Sequence, residues 1–165
     1  MKSYNNTTDE SMYEGQVLNG TVKSIKPYGA FIKLENGVTG LAYIEDLSVA
    51  RIKSPEERVA IGQNLQIMVK SIDREQNRVM LTYKELLGTW EENAQKFKEG
   101  TFAKGIVRET EKNKNGIFIE LTPNLVGMAE YIEGINYGQE VDVYIKKIVP
   151  ERKKIKLLIE NRKDD

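Results

Sequence analysis

The sequence contains no cysteine and no histidine in its 165 residues. Disulfides, thiol nucleophiles, iron–sulfur clusters and the common zinc sites are thereby excluded. So is every catalytic triad whose base is an imidazole. Carboxylate, lysine and serine–lysine chemistry stay open. No run approaches the roughly 20 apolar residues that span a bilayer, and the polar start, Met1 to Ser11, lacks the apolar core of a signal peptide. A cytoplasmic protein with no membrane contact is expected. An excess of charge is missing too: Lys+Arg and Asp+Glu each number 25, so the net charge is zero. Any polyanion site must therefore come from local arrangement, because bulk charge supplies no attraction. With 39% apolar and 30% charged residues the chain has the mixture of a soluble globular protein. Its length suits one ordinary domain or two small ones of about 70–80 residues.

What the sequence does contain is a repeat. Gly15-Gln-Val-Leu-Asn-Gly20-Thr-Val22 returns as Gly100-Thr-Phe-Ala-Lys-Gly105-Ile-Val107, and Gly29-Ala-Phe31-Ile-Lys-Leu34 as Gly116-Ile-Phe118-Ile-Glu-Leu121. Gly40-Leu-Ala recurs as Gly127-Met-Ala, Ile61-Gly-Gln as Tyr137-Gly-Gln, and Arg78-Val-Met-Leu81 as Lys154-Ile-Lys-Leu157. Five blocks in the same order make the chain two copies of one module.

Each module reads as strands. Ala30, Ile32 and Leu34 alternate with Phe31 and Lys33, and Ile117, Ile119 and Leu121 with Phe118 and Glu120. A period of two marks a sheet with one buried face. Leu65-Ile67-Val69, Val141-Val143-Ile145, Val79-Leu81 and Ile155-Leu157-Ile159 continue the pattern. Gly20 and Gly105 suit bulges or bends where a strand curls. Five short strands per copy predict an all-β fold, two five-stranded antiparallel barrels. Ser54-Pro55-Glu56-Glu57 supplies an N-cap, a first-turn proline and a carboxylate for a short helix towards Ala60. Between the copies Leu87, Trp90, Ala94 and Phe97 have helical spacing, predicting a helix from about Thr89 to Lys98 that packs onto a barrel. The expected divisions are a disordered start over 1–12, a first domain over 13–84, a helical linker over 85–98, a second domain over 99–161 and a tail over 162–165.

The ordered set Gly15-x-Val17-x-x-Gly20-x-Val22-x-x-Ile25-x-x-Tyr28-Gly29-Ala30-Phe31-Ile32, Gly37-x-x-Gly40-Leu41, Gly62-Gln63, Ile72-Asp73 and Arg78-x-x-Leu81 carries a family resemblance. It is similar to the RNA-binding domain of the S-one type, a five-stranded OB barrel named after ribosomal small-subunit protein one. The match is close over Tyr13–Lys84 and loose over Glu99–Asn161. The resemblance implies single-stranded RNA bound on the second and third strands, with aromatic rings stacked on bases and a charged pair nearby. The family's aromatics fall on Tyr28 and Phe31, its frequent histidine on Tyr43, and its aspartate and arginine on Asp73 and Arg78. The residues themselves support part of this: Phe31 shares a polar strand face with Lys33, and a large ring beside a cation there is a candidate stacking platform. A bulge at Gly29 would bring Tyr28 to the same side, and Asp73 would orient the Arg78 guanidinium. Lys23 and Lys70 are the further cations within reach.

The second copy departs from this pattern. Asn115 stands at the first aromatic position, Glu130 at that of Tyr43, Pro150 at that of Asp73 and Lys154 at that of Arg78; Phe118 remains, with Glu120 beside it. Weaker contacts are expected there from Phe118, Lys154 and Lys156. The reading is non-enzymatic single-stranded RNA binding, mainly through the first module, in translation or RNA metabolism, with no cofactor and no metal. The partners implied are single-stranded RNA and the ribosome or another RNA-processing protein. The rival is an adaptor whose barrels contact a protein or the ribosome, favoured by the zero net charge and the altered second copy. Glu45-Asp46 reads as loop polarity.

Overall fold

The structure, a computed structural model, describes residues 10–111 and 116–160. The expectations for the first nine residues, for Asn115 and for the tail from residue 161 onward lie outside them. The chain divides into two compact units; the main change falls between Leu87 and Gly88, and Val49–Arg51 groups with the second unit.

The first unit is a closed barrel of β1 (Val17–Lys26), β2 (Gly29–Leu34), β3 (Thr39–Tyr43), β4 (Asn64–Asp73) and β5 (Arg78–Thr82), in the order β1-β2-β3-β5-β4. Neighbours are antiparallel except β3 and β5, which run parallel through Leu41↔Met80 and Ala42↔Leu81. The alternation places Ala30, Ile32, Ile67, Val69 and Leu81 inside at 0–1% exposure, and outward residues at Phe31 and Lys33. Each fully buried Ile or Leu contributes about 1.5–3 kcal/mol relative to leaving it in water. Met12, grouped by sequence with the disordered start, is 3% exposed in this core, and Arg74 Nη2 donates to its carbonyl at 2.8 Å.

The second unit repeats the plan with β6 (Phe102–Glu111), β7 (Gly116–Thr122), β8 (Leu125–Glu130), β9 (Glu140–Val149) and β10 (Lys154–Glu160), closed as β10-β8-β7-β6-β9. A short helix, α1 (Trp90–Ala94), precedes it. Thr89 and Glu92 form a reciprocal capping box at its start. It is shorter than the predicted Thr89–Lys98, because the chain turns after Ala94 while Phe97 still packs on the barrel core beside Trp90 and Ala94. The Ser54-Pro55 signal gives a 3₁₀ turn over Pro55–Glu57, with the Ser54 hydroxyl accepting from the Glu56 amide at 3.2 Å.

Gly20 and Gly105 do not mark bulges. A Cβ at Gly20 would lie 2.6 Å from Ile32 Cγ2, and one at Gly105 2.4 Å from Ile119 Cγ2. They are glycine because the facing strand's isoleucine occupies the space. The bulges come three residues later, at Lys23 and Arg108.

Candidate nucleic-acid interface

The outward face of β2, β3 and β5 gathers most of the residues singled out by sequence. Tyr28 lies in the β1–β2 turn, and its carbonyl accepts from the Ile44 amide at 2.9 Å. Its ring meets Phe31 edge-on, 6.3 Å between centroids at 87°, and Tyr43 at 6.4 Å and 55°. Tyr28 is 48% and Tyr43 40% exposed, and Phe31 is half-buried. The register explains the meeting: Gly29 pairs with Tyr43, and Phe31 with Leu41. No bulge at Gly29 is involved. A Cβ there would sit 2.3 Å from the Ala42 carbonyl oxygen, so a glycine is what lets the two backbones close beneath the three rings.

Beside the rings runs a groove of about 400 Å³ lined by Phe31, Thr39, Leu41, Tyr43, Arg78 and Met80. Arg78 in its lining is exposed, and Lys33 is exposed further along β2, opposite Thr39. Leu41 and Met80 were not singled out by sequence, although each sits in outward phase between buried neighbours (Gly40 and Ala42, Val79 and Leu81). That phase was the available signal.

Asp73 pairs in register with Arg78 across the β4–β5 hairpin, yet among the described residues no ion pair joins them. Its carboxylate accepts from the Gln76 amide at 3.2 Å and so secures the turn instead of orienting the guanidinium. Lys70 is also committed elsewhere. Its ammonium reaches both oxygens of Asp46, at 3.0 and 3.1 Å, and the hydrogen bond to Asp46 holds its pKa above the ordinary 10.5. Asp46 is not loop polarity: it is 3% exposed, and its carbonyl accepts from the Thr82 hydroxyl at 3.2 Å and the Tyr83 amide at 2.9 Å. These bonds pin the chain three residues beyond Tyr43 and so fix where that ring stands.

The corresponding face of the second barrel is built differently. Phe118 is half-buried and pairs with Met128, which pairs in turn with Lys156. Glu120, at the place of Lys33, is 6% exposed and bound to Arg108 Nε at 2.8 Å, with the guanidinium carbon 5.7 Å from the centre of the Tyr137 ring. Glu130 is exposed at the place of Tyr43. The pairing Val149↔Lys154 matches Asp73↔Arg78, so the counterpart of Asp73 is Val149 and not Pro150, which lies in the turn. Lys154 and Lys156 are exposed on β10.

Residues 12–84 match the family described as the S1 RNA binding domain. The chain is 33% identical over 162 residues to the small ribosomal subunit protein bS1 of Staphylococcus aureus strain COL, covering 91% of this chain and 41% of that protein. To the bS1 protein of Pseudomonas aeruginosa it is 35% identical over 169 residues, 94% of this chain and 30% of that protein. It therefore spans less than half the length of these relatives. Among solved structures, GSP13 from Bacillus subtilis is similar at 25% identity and a TM-score of 0.45, over 48% of this chain and 61% of that one.

Proposed function

We propose, from the match of residues 12–84 to the S1 RNA binding domain family, that the chain binds single-stranded RNA across the outward face of β2, β3 and β5. The observation that carries the reading is the cluster of exposed Tyr28 and Tyr43 with half-buried Phe31, beside a groove that Arg78 helps to line. Rings presented to solvent offer π-faces to bases whatever their sequence, at about 1–3 kcal/mol per stack. Lys33 and Arg78 supply phosphate contacts, and the guanidinium also stacks or grips a phosphate bidentately. Asp73 acts indirectly, by shaping the hairpin that presents Arg78. In the second barrel Phe118 offers one ring and Lys154 and Lys156 offer charge. No catalytic step belongs to this reading, in a chain without cysteine or histidine. The similarity to bS1 supports a role in translation, with the ribosome as partner and the cytoplasm as location. Among the described residues no helix is long and apolar enough to cross a membrane.

The test is a fluorescence-anisotropy titration of a labelled single-stranded RNA with the Tyr28→Ala/Phe31→Ala chain. Loss of two stacks at about 1–3 kcal/mol each predicts at least a ~30-fold weaker Kd. Unchanged affinity in a folded variant would leave the face to a protein partner.

A further inference from the structure

The two barrels differ most at their last hairpins. From Lys146 to Lys156 the second barrel carries Lys146, Lys147, Arg152, Lys153, Lys154 and Lys156 against one acid, Glu151, and all six cations are exposed. The matching stretch of the first barrel, Lys70 to Met80, offsets Lys70, Arg74 and Arg78 with Asp73 and Glu75, and its Lys70 is bound to Asp46. In a chain of zero net charge this is a local concentration of positive charge.

Strand register joins that charge to exposed rings. Phe102 on β6 stands opposite Tyr144 on β9, and Tyr144 opposite Leu158 on β10. The two rings lie 5.2 Å apart at 57°, and Phe102 is 65% and Leu158 49% exposed. The next outward pair is Lys147 opposite Lys156, and the one after it Val149 opposite Lys154. Alternate residues on a strand are about 7 Å apart on one face, so Leu158, Lys156 and Lys154 form a row leading away from the rings. Like charges directly opposite each other weaken a sheet, and the Lys147–Lys156 pair has that arrangement until a polyanion covers it. Of the acids nearby, Asp142 holds Lys104 at 2.9 Å and Glu99 accepts from the Ile148 amide at 2.8 Å, while Glu160 follows Leu158 at the end of the row away from the lysines. On the β7–β8 face, by contrast, the places of Lys33 and Tyr43 are taken by Glu120 and Glu130.

We propose that the second barrel carries its own single-stranded nucleic-acid surface on β6, β9 and β10, with bases on Phe102 and Tyr144 and phosphates on Lys147, Lys154 and Lys156. Rings and cations in one row fit a strand of bases and phosphates; an acidic protein would satisfy the lysines but has no comparable use for the stacked rings. The surface lies on different strands from the first barrel's aromatic cluster and stands without it. With more cations available, binding here depends more steeply on salt than on the first barrel.

Full-length chain carrying Tyr28→Ala/Phe31→Ala, titrated with a uridine-rich single-stranded RNA at low salt, tests this. Ultraviolet cross-linking with mass spectrometry should place adducts on the peptides holding Phe102 and Tyr144. Adding Phe102→Ala/Tyr144→Ala should remove them and weaken binding about 30-fold or more. Adding Lys147→Gln/Lys156→Gln instead should flatten the log–log salt slope by about 1.4, at about 0.7 per phosphate contact. These positions are exposed or lie on the sheet surface, and Trp90 fluorescence verifies the fold of the second barrel in each variant. Adducts absent from both peptides, or affinity and slope unchanged in both variants, would overturn the proposal, as would binding of an acidic peptide with none of RNA. Retained adducts at Phe102 and Tyr144 in a wild-type chain lacking them at Tyr28 and Phe31 would support it while contradicting the first barrel's assignment.

Discussion

Removing the Glu120 carboxylate should cost the second barrel much of its stability. Glu120 and Arg108 are 6% and 7% exposed and joined at 2.8 Å. Deleting one member of such a pair strands a buried charge and typically costs 3–5 kcal/mol. Here the Tyr137 ring, 5.7 Å from the guanidinium carbon, offsets part of that through a cation–π attraction of about 0.5–2 kcal/mol. Glu120→Ala should therefore lose about 1–4.5 kcal/mol. Against the few kcal/mol by which a small domain is stable, that brings the barrel near unfolding. Replacing both residues, Arg108→Met/Glu120→Met, removes the charge and its partner together and should restore stability to within about 1 kcal/mol of the parent or above it. The single tryptophan, Trp90, packs against the second core, so its fluorescence during urea unfolding reports this barrel. A loss below about 1 kcal/mol in Glu120→Ala, or a double variant as unstable as the single one, would show that the pair does not hold the barrel in this way.

Two further outcomes are expected. RNA binding by the first barrel should depend gently on ionic strength, with a log–log slope on the order of −1 to −2 for contacts from Lys33 and Arg78 at about 0.7 each; a slope measured in a Phe102→Ala/Tyr144→Ala chain that is several-fold steeper would show another basic surface at work. Lys70→Ala should destabilise the first barrel by about 1–2 kcal/mol, less than for a fully buried pair because the lysine is half exposed. Since its folded pKa is raised above 10.5, that contribution is whole below pH 10.5 and is lost as pH climbs through the raised value, so denaturation midpoints of parent and variant should converge only in strong alkali.

Much of the fold could be read from local pattern. The alternation of Ala30, Ile32 and Leu34 with Phe31 and Lys33 is a property of neighbouring residues, and the barrel keeps that phase. The repeat carried the plan to the second barrel. What escaped was whatever depends on strands meeting. Arg108 and Glu120 are 12 residues apart, and only the β6–β7 pairing with its bulge brings them together, so Glu120 reads from sequence as a surface acid. Asp46 looked like loop polarity because Lys70, its partner, lies 24 residues on. Resemblance of residue types sets Pro150 at the place of Asp73, whereas hairpin register selects Val149, one residue earlier. Of the aromatic set, Tyr28, Phe31 and Tyr43 could each be named from sequence, but their common cluster follows from Gly29 pairing with Tyr43.

RNA is proposed to lie across the aromatic face of the first barrel. This placement is tested most directly by titrating isotopically labelled full-length chain with a short single-stranded RNA and following backbone and aromatic resonances. The largest shifts are expected at Tyr28, Phe31, Lys33, Leu41, Tyr43, Arg78 and Met80, with the inward Ile32 and Leu81 side chains little moved. Tight binding that leaves the ring resonances of Tyr28, Phe31 and Tyr43 unchanged would contradict this placement.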